Sequence, residues 1–212
     1  MMMTKLHRLG GTFVSPKSTL EYMSRHPDLL PWLAALAWLV IPAAMMNAIP
    51  GPGADPTTWV PVIDLAAGFG ALILFFAVKG GVLWLLGKAF GGKARFYSLL
   101  CVTAYAHFPL LLQGLATNAI RVIDPGFELH IGLRALFPNL TMPSPISQLL
   151  VSTFLSHIEI FTLWSLSLTI LGVWLVFRFR VWKATVVVLL WWIVWFALVI
   201  GTELLVNFRM VR

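Results

Sequence analysis

The stretch from Leu149 to Ala184 most constrains what this chain can fold into. It contains an apolar run long enough to cross a bilayer, with one carboxylate, Glu159, near one end and a basic corner just past the other. A carboxylate in such a run is tolerated where it faces protein or water, and clustered Arg and Lys residues stay on the cytoplasmic side. The stretch therefore predicts a membrane helix, its orientation and its interior face. The basic corner consists of Arg178, Arg180 and Lys183.

The composition extends this interpretation to the whole chain. Of 212 residues, 59% are hydrophobic and only 11% are charged, which is too apolar for a soluble domain of this length. The net charge of +7 comes from basic residues beside apolar runs, where they determine topology and contact anionic lipid headgroups. We therefore expect the lipid bilayer, and no nucleic acid, as a partner. Cys101 is the only cysteine, so no intrachain disulfide forms and redox chemistry is not supported.

Five apolar runs are each long enough to cross about 30 Å of hydrocarbon. We therefore predict an all-α membrane protein, a five-transmembrane-helix bundle over residues 29–208, preceded by a cytoplasmic N-terminal segment over residues 1–28. The five predicted spans are Leu29 to Ile49, Val60 to Leu86, Phe96 to Ile120, Leu149 to Phe177, and Trp182 to Phe208.

Two short surface helices are predicted outside the spans. In the N-terminal segment, Ser15 is a candidate N-cap before Pro16, and the residues that follow make an amphipathic helix that can lie on the membrane. The alternative is an ordinary helical lead into the first span. The third connection, Arg121 to Gln148, is long, and FELHIGLRALF within it has apolar residues at helical spacing. We expect a second surface helix there.

The distribution of basic residues predicts the topology. When the connections are assigned to alternate sides, ten of the 15 Lys and Arg residues fall on the side of the N-terminus and four on the other. The N-terminus should be cytoplasmic and the C-terminus outside. The cytoplasmic basic corners are Lys88, Lys93, Arg95, Arg178, Arg180 and Lys183.

Polar residues inside the spans are the candidate functional positions. At 1.5 Å per residue, His107 falls near the bilayer middle, and the acids fall toward the outer boundary. Two interpretations stay open for the outer charges: a salt-bridged clasp in which Glu159 pairs with Arg121, which we favour, and a vestibule that attracts cations. Lys79 is expected to snorkel to the cytoplasmic headgroups, and His157 to point away from Glu159. The candidate polar cluster is Asp64, His107, Asn118, Arg121, Glu159 and Glu203.

The sequence contains none of the common catalytic, nucleotide-binding or metal-binding motifs. It contains no pair of His residues at i and i+4, no nucleophile elbow, no P-loop and no glycine-rich dinucleotide loop. We therefore expect no enzyme activity, no catalytic residue, no metal site and no cofactor.

Three segments resemble the Yip1 family: FVSPKSTLEYMSRHPD, GGKARFYSLLCVTAYAHFPLLL and IEIFTLWSLSLTILGVWLVFRFRVWKA. The resemblance implies a five-helix bundle with a cytoplasmic N-terminus. Eukaryotic members act in secretory trafficking and are linked to Rab GTPases through a longer N-terminal region, which is not carried over because fewer than 30 residues precede the first run. The chain is more similar to short bacterial members, which implies the bacterial inner membrane. The most specific residues are Glu159, Phe161, Trp164, Gly172, Lys183 and Ala184.

These observations favour a non-enzymatic membrane protein that organises the membrane or binds protein partners, including a second copy of itself. The alternative is a small-solute or ion transporter or channel that uses the intramembrane acids and His107. Lipid handling by the polar helix faces is a third reading. We expect no cation flux through the pure protein, since the ladder of polar groups ends on the positive Lys79.

Overall fold

The computed structural model of the protein describes residues 11–12, 14–28, 60–123, 132–137 and 140–210. For residues 60–65, 118, 121–122, 145 and 206–210 it describes the backbone alone. The elements are α1 (Pro16–Arg25), α2 (Val60–Ala89), α3 (Phe96–Ala106), α4 (Phe108–Ile123), a 3-10 helix (Leu133–Leu136), α5 (Pro145–His157), α6 (Ile160–Phe177) and α7 (Val181–Met210).

Four segments of the described residues are long and apolar enough to cross a membrane: Ala66–Ala89, Phe96–Thr117, Ile160–Phe177 and Val181–Leu205. They fall within or overlap four of the five predicted spans. The other predicted span, Leu29 to Ile49, lies outside the described residues. The protein is therefore an all-α, multi-pass membrane protein with at least these four candidate spans.

Helix α6 is the centre of the bundle, since it packs against α1, α2, α3, α4 and α7. One buried apolar cluster joins α6 to α2, α3 and α7, and it includes Leu83, Leu99 and Val173. A second cluster joins α6 to α1 and α3, and it includes Leu20 and Tyr105. Because every described span contributes to one of these clusters, α6 positions the polar groups described below.

The N-terminal helix begins at Pro16 after Ser15, as the sequence predicts, but its surroundings differ from a membrane surface. Leu20 and Met23 are fully buried against α3 and α6. Complete burial of such a side chain stabilises the fold by about 1.5–3 kcal/mol. The apolar face of α1 is therefore covered by protein, and α1 forms part of the bundle.

The apolar run from Leu149 to Phe177 is not one helix, as the sequence predicted, but two. Helix α5 ends at His157 and α6 begins at Ile160, with Glu159 extended between them. The backbone carbonyl of Ile158 accepts a hydrogen bond from the amide of Leu133 at 3.0 Å, and Gly132 forms a β-bridge with Glu159. The interruption is tolerated because the third connection supplies a hydrogen-bond donor to the Ile158 carbonyl, which a backbone amide would supply in a continuous helix.

The predicted surface helix in the third connection is short where the structure describes it. Its described part is the exposed 3-10 helix, while residues 124–131 lie outside the described residues. Helices α3 and α4 meet at His107, and Pro109 follows in the first turn of α4. Proline donates no backbone hydrogen bond and disrupts a continuing helix, which accounts for the break between α3 and α4.

Candidate functional site

A cavity of about 280 Å³ lies inside the bundle, lined by residues of α2, α4, α5, α6 and α7 and by His107 between α3 and α4. We call it the inner cavity. Its walls combine polar side chains with a tryptophan-rich side from α7. The lining residues used below are Lys79, His107, His157, Thr162, Ser165, Thr169, Trp191, Trp192 and Trp195.

Lys79 and His107 form the polar centre of this cavity. Lys79 is only 5% exposed, and its Nζ lies 3.3 Å from Nδ1 of His107. The rings of Phe75 and Phe76 lie 5.3 and 5.2 Å from the imidazole. The expectation that Lys79 snorkels to the headgroups was therefore wrong, because the side chain is directed into the bundle and enclosed there.

The depth of Lys79 makes this burial costly. It lies ten residues before the end of α2 at Ala89, which is about 15 Å along the helix axis, or half the thickness of the hydrocarbon core. A lysine at the centre of a membrane helix costs about 2.5–3.5 kcal/mol on insertion scales. A side chain retained at that cost is a functional candidate by default.

The α6 side of the cavity carries hydroxyl groups at helical spacing. Thr162, Ser165 and Thr169 are three and four residues apart, and all three line the cavity. The hydroxyl of Thr169 donates to the backbone carbonyl of Ser165 at 2.8 Å. Thr162, Ser165 and Thr169 were not among the candidate polar residues named from the sequence.

His157 also lines the cavity, with its Nδ1 2.8 Å from the backbone carbonyl of Thr153. The expectation that His157 points away from Glu159 rested on one continuous helix. Because the helix is interrupted between these two residues, a rotation of 100° per residue does not apply across them.

Of the predicted polar cluster, the structure describes the side chains of His107, Glu159 and Glu203. Glu159 accepts a hydrogen bond from Nε2 of Gln113 at 2.5 Å, a partner that sequence periodicity did not single out. Glu203 lies exposed near the end of α7. The side chains of Asp64, Asn118 and Arg121 lie outside the described residues, so the pairing of Glu159 with Arg121 stays a prediction.

The contact between Gln113 and Glu159 joins α4 to the start of α6, and it can be measured. We expect Gln113→Leu and Glu159→Leu each to lower stability. The double variant should lose about 1–2 kcal/mol less than the sum of the two losses, because each single variant loses the shared hydrogen bond and the double variant loses it only once. Unfolding of purified protein in detergent measures this coupling. Strictly additive losses would show that the two side chains do not interact.

A second feature is an open groove of about 1200 Å³ at one end of the bundle. We call it the basic groove. Three segments far apart in sequence line it: α1, the turn between α2 and α3, and the corner between α6 and α7. Its charged residues are Glu21, Arg25, Lys93, Arg95 and Arg178, and its aromatic residues are Tyr97, Trp174, Phe177 and Phe179.

Two turns hold the basic groove together. Helix α2 ends at a glycine turn in which Gly91 has φ of 84°, a conformation that favours glycine. A Cβ at Gly87 or Gly92 would overlap the ring of Phe177, so both glycines let the two turns approach each other. Nζ of Lys183 donates to the backbone carbonyl of Phe90 at 3.4 Å. Two of the predicted basic corners are thus joined directly.

Other cations around this end lie against aromatic rings and carboxylates. Nζ of Lys88 lies 3.8 Å from the centre of the Trp84 ring, and Nζ of Lys17 lies 5.5 Å from that of Trp174. Arg25 forms an ion pair with Glu21 at 2.6 Å. Since Glu21 is the one acid in the lining against four cations, the groove carries excess positive charge.

Among the described residues, no group of three or more His, Cys, Asp or Glu side chains is arranged to hold a metal ion. The arrangement instead offers two electropositive sites, one inside the bundle and one at its end.

Comparison with known proteins gives the family. The model of the Yip1 domain matches residues 10–202, which is nearly the whole chain. The chain belongs to the Yip1 family. The match confirms the resemblance seen in the sequence, and in this Yip1 protein it covers α1, three of the four candidate spans and most of the fourth. Searches of curated proteins and of solved structures found no match.

Proposed function

We propose that this Yip1-family protein is a non-enzymatic organiser of the membrane, which gathers anionic phospholipid headgroups in its basic groove. The observation that carries the proposal is the convergence of α1 and two turns on one open groove with four cations and one acid. The sequence, which carries no motif of an enzyme, agrees with a binding role.

The chemistry of the groove suits a phosphate group at a membrane surface. Arg25, Arg95 and Arg178 supply planar guanidinium groups, which bind phosphate oxygens through two parallel hydrogen bonds. Each basic residue near an anionic leaflet contributes about 1 kcal/mol. Tyr97 and Trp174 lie beside these cations, and such aromatic side chains favour the level of the headgroups.

Arg178 adds a conformational argument. It follows the last residue of α6 with φ of 55° and ψ of 39°, the left-handed region that glycine usually occupies at this position. A side chain other than glycine costs about 1–2 kcal/mol there. An arginine held at that cost, with its side chain exposed at the groove, supports a role for its charge.

Arg178→Gly therefore separates folding from binding. We expect this variant to unfold at equal or higher temperature, because glycine relieves the backbone, yet to bind phosphatidylglycerol about fivefold more weakly, because one cation is lost. Native mass spectrometry of purified protein titrated with phosphatidylglycerol or phosphatidylcholine measures the difference.

The matched control is Arg134→Gln, which removes an exposed arginine of the 3-10 helix outside the groove and should leave binding unchanged. Equal binding of the two lipids by wild-type protein would refute the proposal. Purification of the wild type with an acidic protein in place of anionic lipid would assign the groove to a protein partner instead.

We further propose that the basic groove faces the cytoplasm in a bacterial inner membrane. The groove carries three of the predicted cytoplasmic corner residues, Lys93, Arg95 and Arg178, together with Arg25 from α1. This agrees with the excess of Lys and Arg on one side of the sequence.

The alternative of a cation pathway receives less support. Lys79 places a positive charge near mid-membrane, beside His107, where a cation would have to pass. Glu159 is bonded to Gln113 and does not line the inner cavity.

A further inference from the structure

We propose that the inner cavity binds the carboxylate of a single-chain amphiphile such as a fatty acid, with Lys79 as its counter-ion. The site is distinct from the basic groove, so the proposal does not depend on the function proposed above.

The first step of the argument is the charge of Lys79. The only hydrogen bond that the described residues show for its side-chain nitrogen is to Nδ1 of His107, so a proton bound to the pair places a positive charge on these two groups alone. A positive charge in a poorly solvated setting requires a nearby anion to be stable. The lining of the inner cavity, as far as the structure describes it, contains no Asp or Glu.

The acids whose position the structure describes do not line the inner cavity. Glu159 bonds to Gln113, and Asp28 accepts from the Tyr105 hydroxyl at 3.1 Å. Asp64 lies fifteen residues before Lys79 on the same helix, about 22 Å along its axis. The predicted first span, Leu29 to Ile49, contains no Asp or Glu in its sequence, so it brings no carboxylate to the cavity. The described lining and the predicted first span thus offer no carboxylate to Lys79, and in this proposal a ligand supplies the counter-ion.

The second step is the arrangement of donors. An ammonium group has three donors, and the contact with His107 uses at most one. Thr162 and Ser165 add hydroxyl groups on the α6 wall of the same cavity. A carboxylate has two oxygens that each accept more than one hydrogen bond, which matches one cation together with neighbouring hydroxyls. A single positive charge favours a monoanion over a phosphate group.

The third step is the size and polarity of the cavity. At about 30 Å³ for each water-sized heavy atom, 280 Å³ holds roughly nine heavy atoms, enough for a carboxylate and about six carbons. The other walls are apolar and aromatic, with Leu166, Val188 and Trp191 among them. Trp192 and Trp195 are only half-buried, so the cavity reaches the surface of the described bundle on that side, where an acyl tail can continue.

The three tryptophans give a direct test in phosphatidylcholine nanodiscs. Bromine quenches tryptophan fluorescence on contact, so 11,12-dibromododecanoate should quench the wild-type protein saturably. Dodecanoate should displace it, whereas dodecanol and dodecylammonium should not, because they share the tail and lack the negative charge. Quenching that never saturates, or displacement by dodecanol as effective as by dodecanoate, overturns the proposal. Displacement by acetate or chloride at the same concentration would show a small-anion site and overturn it as well.

Substitution tests the role of Lys79. Lys79→Met keeps the length of the side chain and removes the charge, so it should weaken dodecanoate binding by roughly tenfold or more. Arg134→Met, which removes an exposed cation outside both the inner cavity and the basic groove, should leave it unchanged. Unchanged binding by folded Lys79→Met contradicts the proposal. If that variant does not fold, the competition series on wild-type protein decides the question alone.

Discussion

Replacing Gly172 with leucine should lower the free energy of unfolding by about 3 kcal/mol or more, because a side chain there enters a filled contact between α3 and α6. A Cβ atom built at Gly172 overlaps Cγ1 of Val102, which is fully buried. Valine in a helix has one strongly preferred rotamer and cannot turn aside. Unfolding of the purified protein in detergent, by temperature or by denaturant, measures the loss.

Gly81 provides the matched control, since a Cβ atom at this position of α2 meets nothing within 4 Å. Gly81→Leu should change stability little. Val102→Ala should restore part of the stability of Gly172→Ala by removing the methyl group that collides. If Gly172→Leu proved as stable as Gly81→Leu, the close approach of α3 and α6 would be wrong.

Single cysteines on opposite sides of the membrane should differ almost completely in their reaction with an impermeant thiol reagent. In a Cys101→Ser background, cysteines at Ser15 and Ala94 should be protected from an impermeant thiol reagent in intact cells, and cysteines at Thr57 and Ser144 should react. The expected pattern follows from the excess of basic residues on one side of the sequence. Ser15 and Ser144 are exposed, and Cys101 is buried, so the background substitution removes a thiol that lies inside the bundle.

Lysis of the cells before labelling is the control, since all four cysteines should then react. Labelling at Ser15 in intact cells, together with protection at Ser144, would reverse the proposed orientation. The basic groove would then face away from the cytoplasm.

The sequence was sufficient for the class of the protein, because hydrophobic run length directly reflects the thickness of a bilayer. Four of the five predicted spans contain segments of the required length and hydropathy. The interruption at Glu159 could not be predicted, because neither isoleucine nor glutamate breaks a helix by its own propensity. The third connection, which supplies the amide of Leu133, is distant in sequence.

The candidate site was predicted in part. His107 was singled out by its depth, and the structure places it at the centre of the inner cavity. Lys79 was assigned to the headgroups because an isolated helix lets a lysine extend along its surface. Only the contact with His107, whose ring lies against Phe75 and Phe76 of α2, shows that the side chain is enclosed. Gln113 gave no signal, since a single amide in a helix becomes informative only when its partner is known.

The corner between α6 and α7 has a consequence for how the chain enters the membrane. Only residues 178–180 separate α6 from α7, and the two helices pack against each other. They must therefore cross as one hairpin, because so short a link cannot leave either helix behind during insertion. Since Arg178, Arg180 and Lys183 lie at its tip, the hairpin carries its own orienting charge. We therefore expect these two candidate spans to receive their direction locally, whatever the order in which the earlier segments are inserted.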